Sequence, residues 1–511
     1  MTLSKTGEEG IREEAVLRVW AEVQAPKKHP GLESESSVKR SHVELFLCAV
    51  IAEMDLAVNN LINSLFITRG LGADGAAAYE LVVPCLMVVS AFMALGYNGI
   101  QAVCAKDYGA QDREAFERHK NAGYSWMILV MATLTVLFAL LRETILDFLG
   151  TGDAGTIVAG LSRACYLMFL PCFLLQGYFC IASCLLFLEE RRQLVTANLI
   201  LYACTITGNI LITRFHPTMT AYIAMNALSE AAADVYLMVY FFRRRNTSLA
   251  AFTKVNLRLR DVKDILLTGL PDWLEYVFAG ILSLVLNLYV LARFSPSLVA
   301  GIGIFEAIEN IPEMLCVGFC FLVTAGLGTR VGRVIAAQTS EEDRAAEDDL
   351  HRMARLLTKG AIVGGLAIAV LLVVLAHPIA SAFFTGAGDS GAVESAVYLL
   401  VSYAVGFVFY LLNSELVCYY KLVEAFPFAH AAYFAETLLF PLLARIVLGE
   451  LFGMRGFCLG GALGEALALV LNLFFIGKAC GHFPRKLADF RMDRHLKSMQ
   501  QRAQGDRRHV L

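Results

Sequence analysis

The chain has 511 residues, of which 57% are hydrophobic and only 17% charged, and its mean hydropathy is +0.59. These values exclude an ordinary soluble globular domain. The net charge of −3 says little by itself; its distribution along the chain carries the information.

Residues 1–41 are polar and mixed in charge, with no apolar h-region, so they are expected to form a cytoplasmic tail without a cleaved signal peptide. Beyond them, apolar runs long enough to cross a hydrocarbon core about 30 Å thick, roughly 20 residues each, follow one another almost to the end. About twelve spans are predicted, at 43–67, 78–102, 121–141, 157–185, 194–213, 220–242, 265–292, 298–325, 356–376, 395–420, 427–448 and 457–479. Rich in Gly, Ala and Leu and lacking period-two alternation, they read as helices rather than barrel strands. The second connection carries Lys106, Arg113, Arg118 and Lys120, the sixth Arg243, Arg244, Arg245, Lys254, Arg258, Arg260 and Lys263, and the eighth Arg330, Arg333, Arg344, Arg352, Arg355 and Lys359. The odd connections up to the ninth hold only Arg69, Arg142, Arg214 and Arg293. The positive-inside bias therefore places the even connections and both tails, the second at 481–511, in the cytoplasm, for a multi-pass protein of the cell membrane. Most of the thirteen cysteines lie within spans, Cys180 with Cys184 and Cys316 with Cys320 at one-turn spacing. They read as small buried hydrophobes rather than metal ligands or disulfides.

The two halves echo one another. ALSEAAA at Ala227–Ala233 matches ALGEALA at Ala462–Ala468, TGDAG at Thr151–Gly155 matches AGDSG at Ala387–Gly391, QDREA at 111–115 matches EDRAA at 342–346, and Pro84 pairs with Pro312. Six spans per half is an even number, so the repeats are parallel, with a substrate site between them as the default expectation. The fold class expected is all-α, with about twelve transmembrane helices in two pseudo-symmetric six-helix bundles: an N-lobe at 42–242, a basic cytoplasmic linker at 243–263 and a C-lobe at 264–480.

The run FITRGLGADGAAAYELVVPCLMVVSAFMALGYNGIQAVCAKDYGAQDREAF resembles the multidrug and toxic compound extrusion (MATE) family, in which an LG-x-[DE]-x-LAA-like turn opens the second span and a GA-x-[DN]-x-E-A-like turn follows it. The repeats of the sixth and twelfth spans, the LEERR turn after the fourth and GNILI in the fifth fit as well, so the similarity covers roughly 43–480. The resemblance implies a V-shaped pair of bundles and a secondary antiporter exporting organic, often cationic, compounds against entry of Na+ or H+. The chain departs from similar members at three places. Asn63 stands where many have an Asp late in the first span, Thr213 holds the acidic position one turn after Asn209 in the fifth, and Ala279 stands where a Glu follows Pro271 in the seventh.

Other polar residues interrupt the apolar spans, where an ionisable group costs about 2.5 to 3.5 kcal/mol. In AEMDLAVNNLINSLF, Asp55, Asn59 and Asn63 are spaced at i, i+4 and i+8, which aligns one carboxylate and two amides on one stripe of the first helix. Such oxygens suit a hard cation, so Asp55, Asn59 and Asn63 form a candidate Na+ or H+ coupling site displaced from the family's usual place. The structural alternative is that Asn59, Asn60 and Asn63 bridge neighbouring helices, with Glu53 and Asp55 near the surface. In IFEAIENIPEML, Glu306, Glu309 and Glu313 fall within two turns of the eighth span, and Glu80 holds the comparable stretch of the second. Carboxylates this close repel in a low-dielectric cavity, so protons bound there can be traded for a cationic substrate or a metal ion. Glu275 and Glu415 are further candidates, whereas Glu230 and Glu465, in matched positions, are read as structural and His430 as a packing residue. The 33 Phe and 18 Tyr residues offer faces for cation–π contact.

No G-x-x-x-x-G-K-[ST], H-E-x-x-H or G-x-S-x-G pattern occurs, which argues against an ATP-driven pump and against an enzyme. A flippase of lipid-linked saccharide shares the duplicated plan but calls for a cationic cavity, and a transport-inactive sensor or scaffold is the reading from the binding class. The expected partners are a small organic substrate, a monovalent cation or proton and the lipid bilayer, with no cofactor, no nucleic acid and a monomeric state.

Overall fold

The computed structural model of the chain describes residues 48, 51, 55–149, 156–189, 191–243, 250–293, 296–337, 339–382, 390–480 and 495–502. Within those helices the side chains of Asp55, Asn59, Asn60, Glu80, Glu306, Glu309 and Glu313 lie outside the described residues, as do Glu53, both ends of the chain and Thr151–Gly155. The elements are α1 (Asp55–Ala110), α2 (Arg113–Leu140), α3 (Arg142–Phe148), α4 (Thr156–Glu189), α5 (Arg191–Phe215), α6 (Met219–Arg243), α7 (Leu259–Arg293), α8 (Pro296–Ala336), α9 (Ser340–Ala382), α10 (Ser390–Tyr403), α11 (Gly406–Leu422), α12 (Phe426–Tyr433), a π-helical segment (Phe434–Leu439) and α13 (Phe440–Cys480). No strand occurs among the described residues.

Eight of the described helices are long and apolar enough to cross a bilayer, or nine if Val393–Tyr403 and Gly406–Leu422, bent by 50°, form one span. Helix count understates the crossings because some helical runs reverse within themselves. A straight α1 of 56 residues would be about 84 Å long. Its contacts instead show a fold back on itself: Gly70 packs on Tyr222 and Pro217, and the Ala78 carbonyl accepts from Ser162 Oγ near the start of α4 (3.3 Å). At the far end, Gly123 of α2 packs on Ile100. The predicted spans 43–67 and 78–102 are thus joined by helical rather than irregular backbone. In α13 the reversal is a kink at Gly453, whose φ of 64° and ψ of −149° suit glycine and almost no other residue.

The matched QDREA and EDRAA segments are helix starts. Asp112 caps α2 by accepting from the Ala115 N–H (3.0 Å). At α9, Thr339 Oγ1 accepts from the Glu342 N–H (3.2 Å) while Glu342 Oε2 accepts from the Thr339 N–H (3.2 Å), a reciprocal capping box.

Internal contacts divide the molecule into two compact units. The first holds the described residues up to Cys104 together with Gln111–Ile265. In it, α4 packs on α2 and α6, and α5 on α6. The described part of the basic segment after α6 is docked here: Ala250 and Ala251 are buried, Tyr124 donates to the Ala250 carbonyl (3.1 Å), and Asn121 Oδ1 accepts from the Thr253 N–H (3.1 Å). The second unit holds Ala105–Ala110 and the described residues from Leu266 onward. In it α8 packs on α9, α10 and α11, and α13 on α10 and α11.

Candidate functional site

In the first unit, the α5–α6 hairpin carries a buried polar ladder. Asn198, Thr205, Asn209 and Thr213 share one face of α5, and Tyr222, Asn226, Glu230 and Asp234 recur every four residues on α6. A short turn makes the helices antiparallel, and the top rung is a hydroxyl pair, Thr213 Oγ1 with Tyr222 Oη at 2.8 Å. Thr213 gives its own proton to the Asn209 carbonyl (2.8 Å), which leaves Tyr222 as donor to Thr213. One turn further in lie Asn209 and Asn226, then Glu230 and finally Asp234, which is within electrostatic reach of Tyr124 and Tyr178.

The first arm of α1 runs alongside this hairpin. Tyr202 donates to the Ile51 carbonyl (3.2 Å) and Gly70 abuts Tyr222, so Asn63 and Asn209 lie between the same two ties. Both amides are fully buried, and neither their oxygens nor their nitrogens find a hydrogen-bond partner among the described residues; the Asn226 oxygen is in the same position. An unsatisfied buried amide costs about 1–3 kcal/mol, so these three are expensive side chains to hold in an apolar interior.

The second unit has a charged counterpart. Asp272 follows Pro271 within α7, and its Oδ1 accepts from Lys421 Nζ at 2.6 Å and from Tyr433 Oη at 3.0 Å. Lys421 sits in the last turn of α11, where the helix dipole favours a cation. Asp272 Oδ2 is buried without a partner among the described residues. Glu275, one turn along α7, is within electrostatic reach of Tyr433 and of Glu436. Glu436 belongs to the π-helical segment: Pro441 has no N–H to give to the Thr437 carbonyl, and the Phe440 N–H reaches Ala435 five residues back. Such single-turn widenings occur often at functional sites.

Glu415 lies apart from this group, buried and accepting from Thr358 Oγ1 of α9 (3.0 Å). Glu465 is held by Asn413, whose Nδ2 donates to its Oε2 (3.2 Å) and its carbonyl (3.1 Å). Asn472 Nδ2 in turn donates to Asn413 Oδ1 (3.0 Å). Glu465 therefore fastens α11 to α13 at mid-helix rather than at a helix terminus.

Of the sequence candidates, Asn63 on α1 and Asn209 on α5 are both fully buried in the first unit, and Glu275 joins the charged group of the second. Asp55, Asn59, Glu80, Glu306 and Glu309 fall on α1 and α8, with side chains outside the described residues. Ala279 is exposed, while on the same helix Asp272 is buried and Glu275 half-buried. Sequence reasoning missed Asp272, Lys421, Tyr433, Glu436 and Asn226. Lys421 was the findable one, a lone base directly after the predicted span 395–420.

The MatE family model matches residues 51–229. The multidrug export protein MepA of Staphylococcus haemolyticus is 24% identical over 86% of this chain and 94% of its own. The same-named protein of Staphylococcus saprophyticus is 27% identical over a stretch covering 22% of this chain and only 25% of that relative. Among solved structures, the MATE transporter VcmN of Vibrio cholerae in its bent form superposes with a TM-score of 0.72 at 17% identity, covering 91% of this chain and 98% of that one. Residues 51–229 thus carry a MatE signature, and the chain shares the fold of MATE transporters. The two polar clusters are built on the helices of this all-α, multi-pass membrane fold.

Proposed function

We propose that this protein exports small organic cations across the cell membrane by alternating access, in exchange for inward-moving Na+ or H+. The observation that carries the reading is the group Asp272, Glu275 and Glu436 on helices of the second unit, with Lys421 as the ammonium bonded to it. Buried carboxylates in excess of cations are expensive in a membrane protein and are retained where a cation or proton comes and goes. The names of the MepA relatives support a multidrug substrate range.

The first unit contributes neutral oxygen donors, Asn63 and Asn209, to which Asp55 and Asn59 belong by helical spacing. Glu80, Glu306, Glu309 and Glu415 are assigned to the same ion and substrate path. Proteoliposomes loaded with a fluorescent cation test the reading: efflux accelerates under an imposed Na+ or pH gradient and slows in Asp55→Asn and Glu309→Gln. Efflux indifferent to both gradients, or variants that keep the parental rate and its gradient dependence, would contradict it.

A further inference from the structure

Resting on the export reading, we propose that Lys421 is a tethered stand-in for the transported cation: its ammonium occupies Asp272 when the second unit is empty and is displaced when a mobile cation arrives.

The geometry has three parts. First, the ammonium is bound at one oxygen only, 2.6 Å from Asp272 Oδ1, on the oxygen that also takes the Tyr433 hydroxyl at 3.0 Å. The other oxygen, Oδ2, is buried and vacant among the described residues, so half of the carboxylate is left for a second cation. Second, the cation is outnumbered. Glu275 lies one turn from Asp272, and Glu436 one turn from Tyr433 with its Oε2 also buried and unbonded among the described residues. A second positive charge is accommodated by these carboxylates, and its entry weakens the hold on the first. Third, lysine suits an exchange that arginine does not: a compact charge on a flexible four-carbon stem can leave one carboxylate for another, whereas a guanidinium locks on bidentately. The neighbouring π-helical turn carries Glu436, so the acid that receives the guest sits on backbone already loosened by Pro441.

A resident ammonium solves a physical problem. An empty, charged carboxylate pocket in low dielectric is costly, and an internal cation keeps the unloaded state populated, so binding becomes replacement of one cation by another.

Equilibrium dialysis of tetraphenylphosphonium against the detergent-solubilised full chain tests this, with transport measured in parallel. Removing the competitor in Lys421→Gln is expected to tighten probe binding about tenfold, the scale of a close charge pair, while efflux slows because the guest is no longer expelled. Lys421→Arg, which keeps the charge and grips harder, is expected to weaken binding, and it supplies the test if the Gln variant does not fold. If Lys421 merely braces α7 against α11, Lys421→Gln loses binding and thermal stability together, and Asp272→Asn combined with Lys421→Gln restores both; that result, or an Arg variant binding as tightly as the parent, overturns the proposal. A parental protein that neither binds nor exports the probe removes the export reading itself.

Discussion

Tyr222 is wedged between Thr213 and Gly70: its hydroxyl lies 2.8 Å from Thr213 Oγ1, and a Cβ added at Gly70 would fall 2.0 Å from the same oxygen and 2.9 Å from Cζ. Gly70→Ala is therefore expected to destabilise the first unit by about 1–3 kcal/mol through overpacking. Tyr222→Phe in the same chain removes the nearest clash and recovers part of that loss. Thermal unfolding in detergent of the two single variants and the double reads the coupling between them.

Asn209 offers a stability–function contrast. Because its amide is buried without a partner among the described residues, Asn209→Leu removes a desolvation cost of about 1–3 kcal/mol and is expected to raise the unfolding temperature. The same change is expected to slow efflux, since it deletes an oxygen from the polar face of the hairpin. An unfolding temperature that falls would show that the amide is already satisfied in the working protein.

The caps of α2 and α9 carry equivalent loads in the two repeats. Asp112→Ala and Thr339→Ala are each expected to cost about 1 kcal/mol, with little change in transport per folded molecule. Thermal melts normalised to active fraction check both halves of that statement.

Glu424 sets an acid limit on the second unit. Burial alone would raise its carboxyl, but Lys106 at 3.3 Å and Arg502 at 3.0 Å outweigh it and hold the group below its ordinary value of 4.5. A carboxylate with a depressed folded-state pKa contributes stability that is complete above the unfolded value and is lost as pH falls through the folded one. The parental protein is accordingly expected to lose more melting temperature than Glu424→Gln does on acidification from pH 6 to about pH 3. Equal losses would mean that the two ion pairs contribute nothing.

Much of the fold was legible because membrane solvation is unforgiving: the apolar runs and the duplicated ALSEAAA and ALGEALA segments each follow from local chemistry. Less legible were the connections, because Arg69–Gly75 is helical at the reversal despite its three glycines. The site was only partly readable. Asn63, Asn209 and Glu275 stand out as polar residues in apolar runs. Asp272 and Lys421 are 149 residues apart and meet only through tertiary packing, and Glu436 depends on a backbone widening that Pro441 imposes, so no spacing rule links them.

The most direct test of the central claim, that the second unit's acids bind the exported cation, is calorimetric titration of the solubilised parent and of the triple variant Asp272→Asn, Glu275→Gln, Glu436→Gln with tetraphenylphosphonium. The parent is predicted to bind it with affinity that weakens as Na+ or H+ is added, and the folded triple variant to lose both the binding and that competition. Undiminished binding by a folded triple variant would contradict the account.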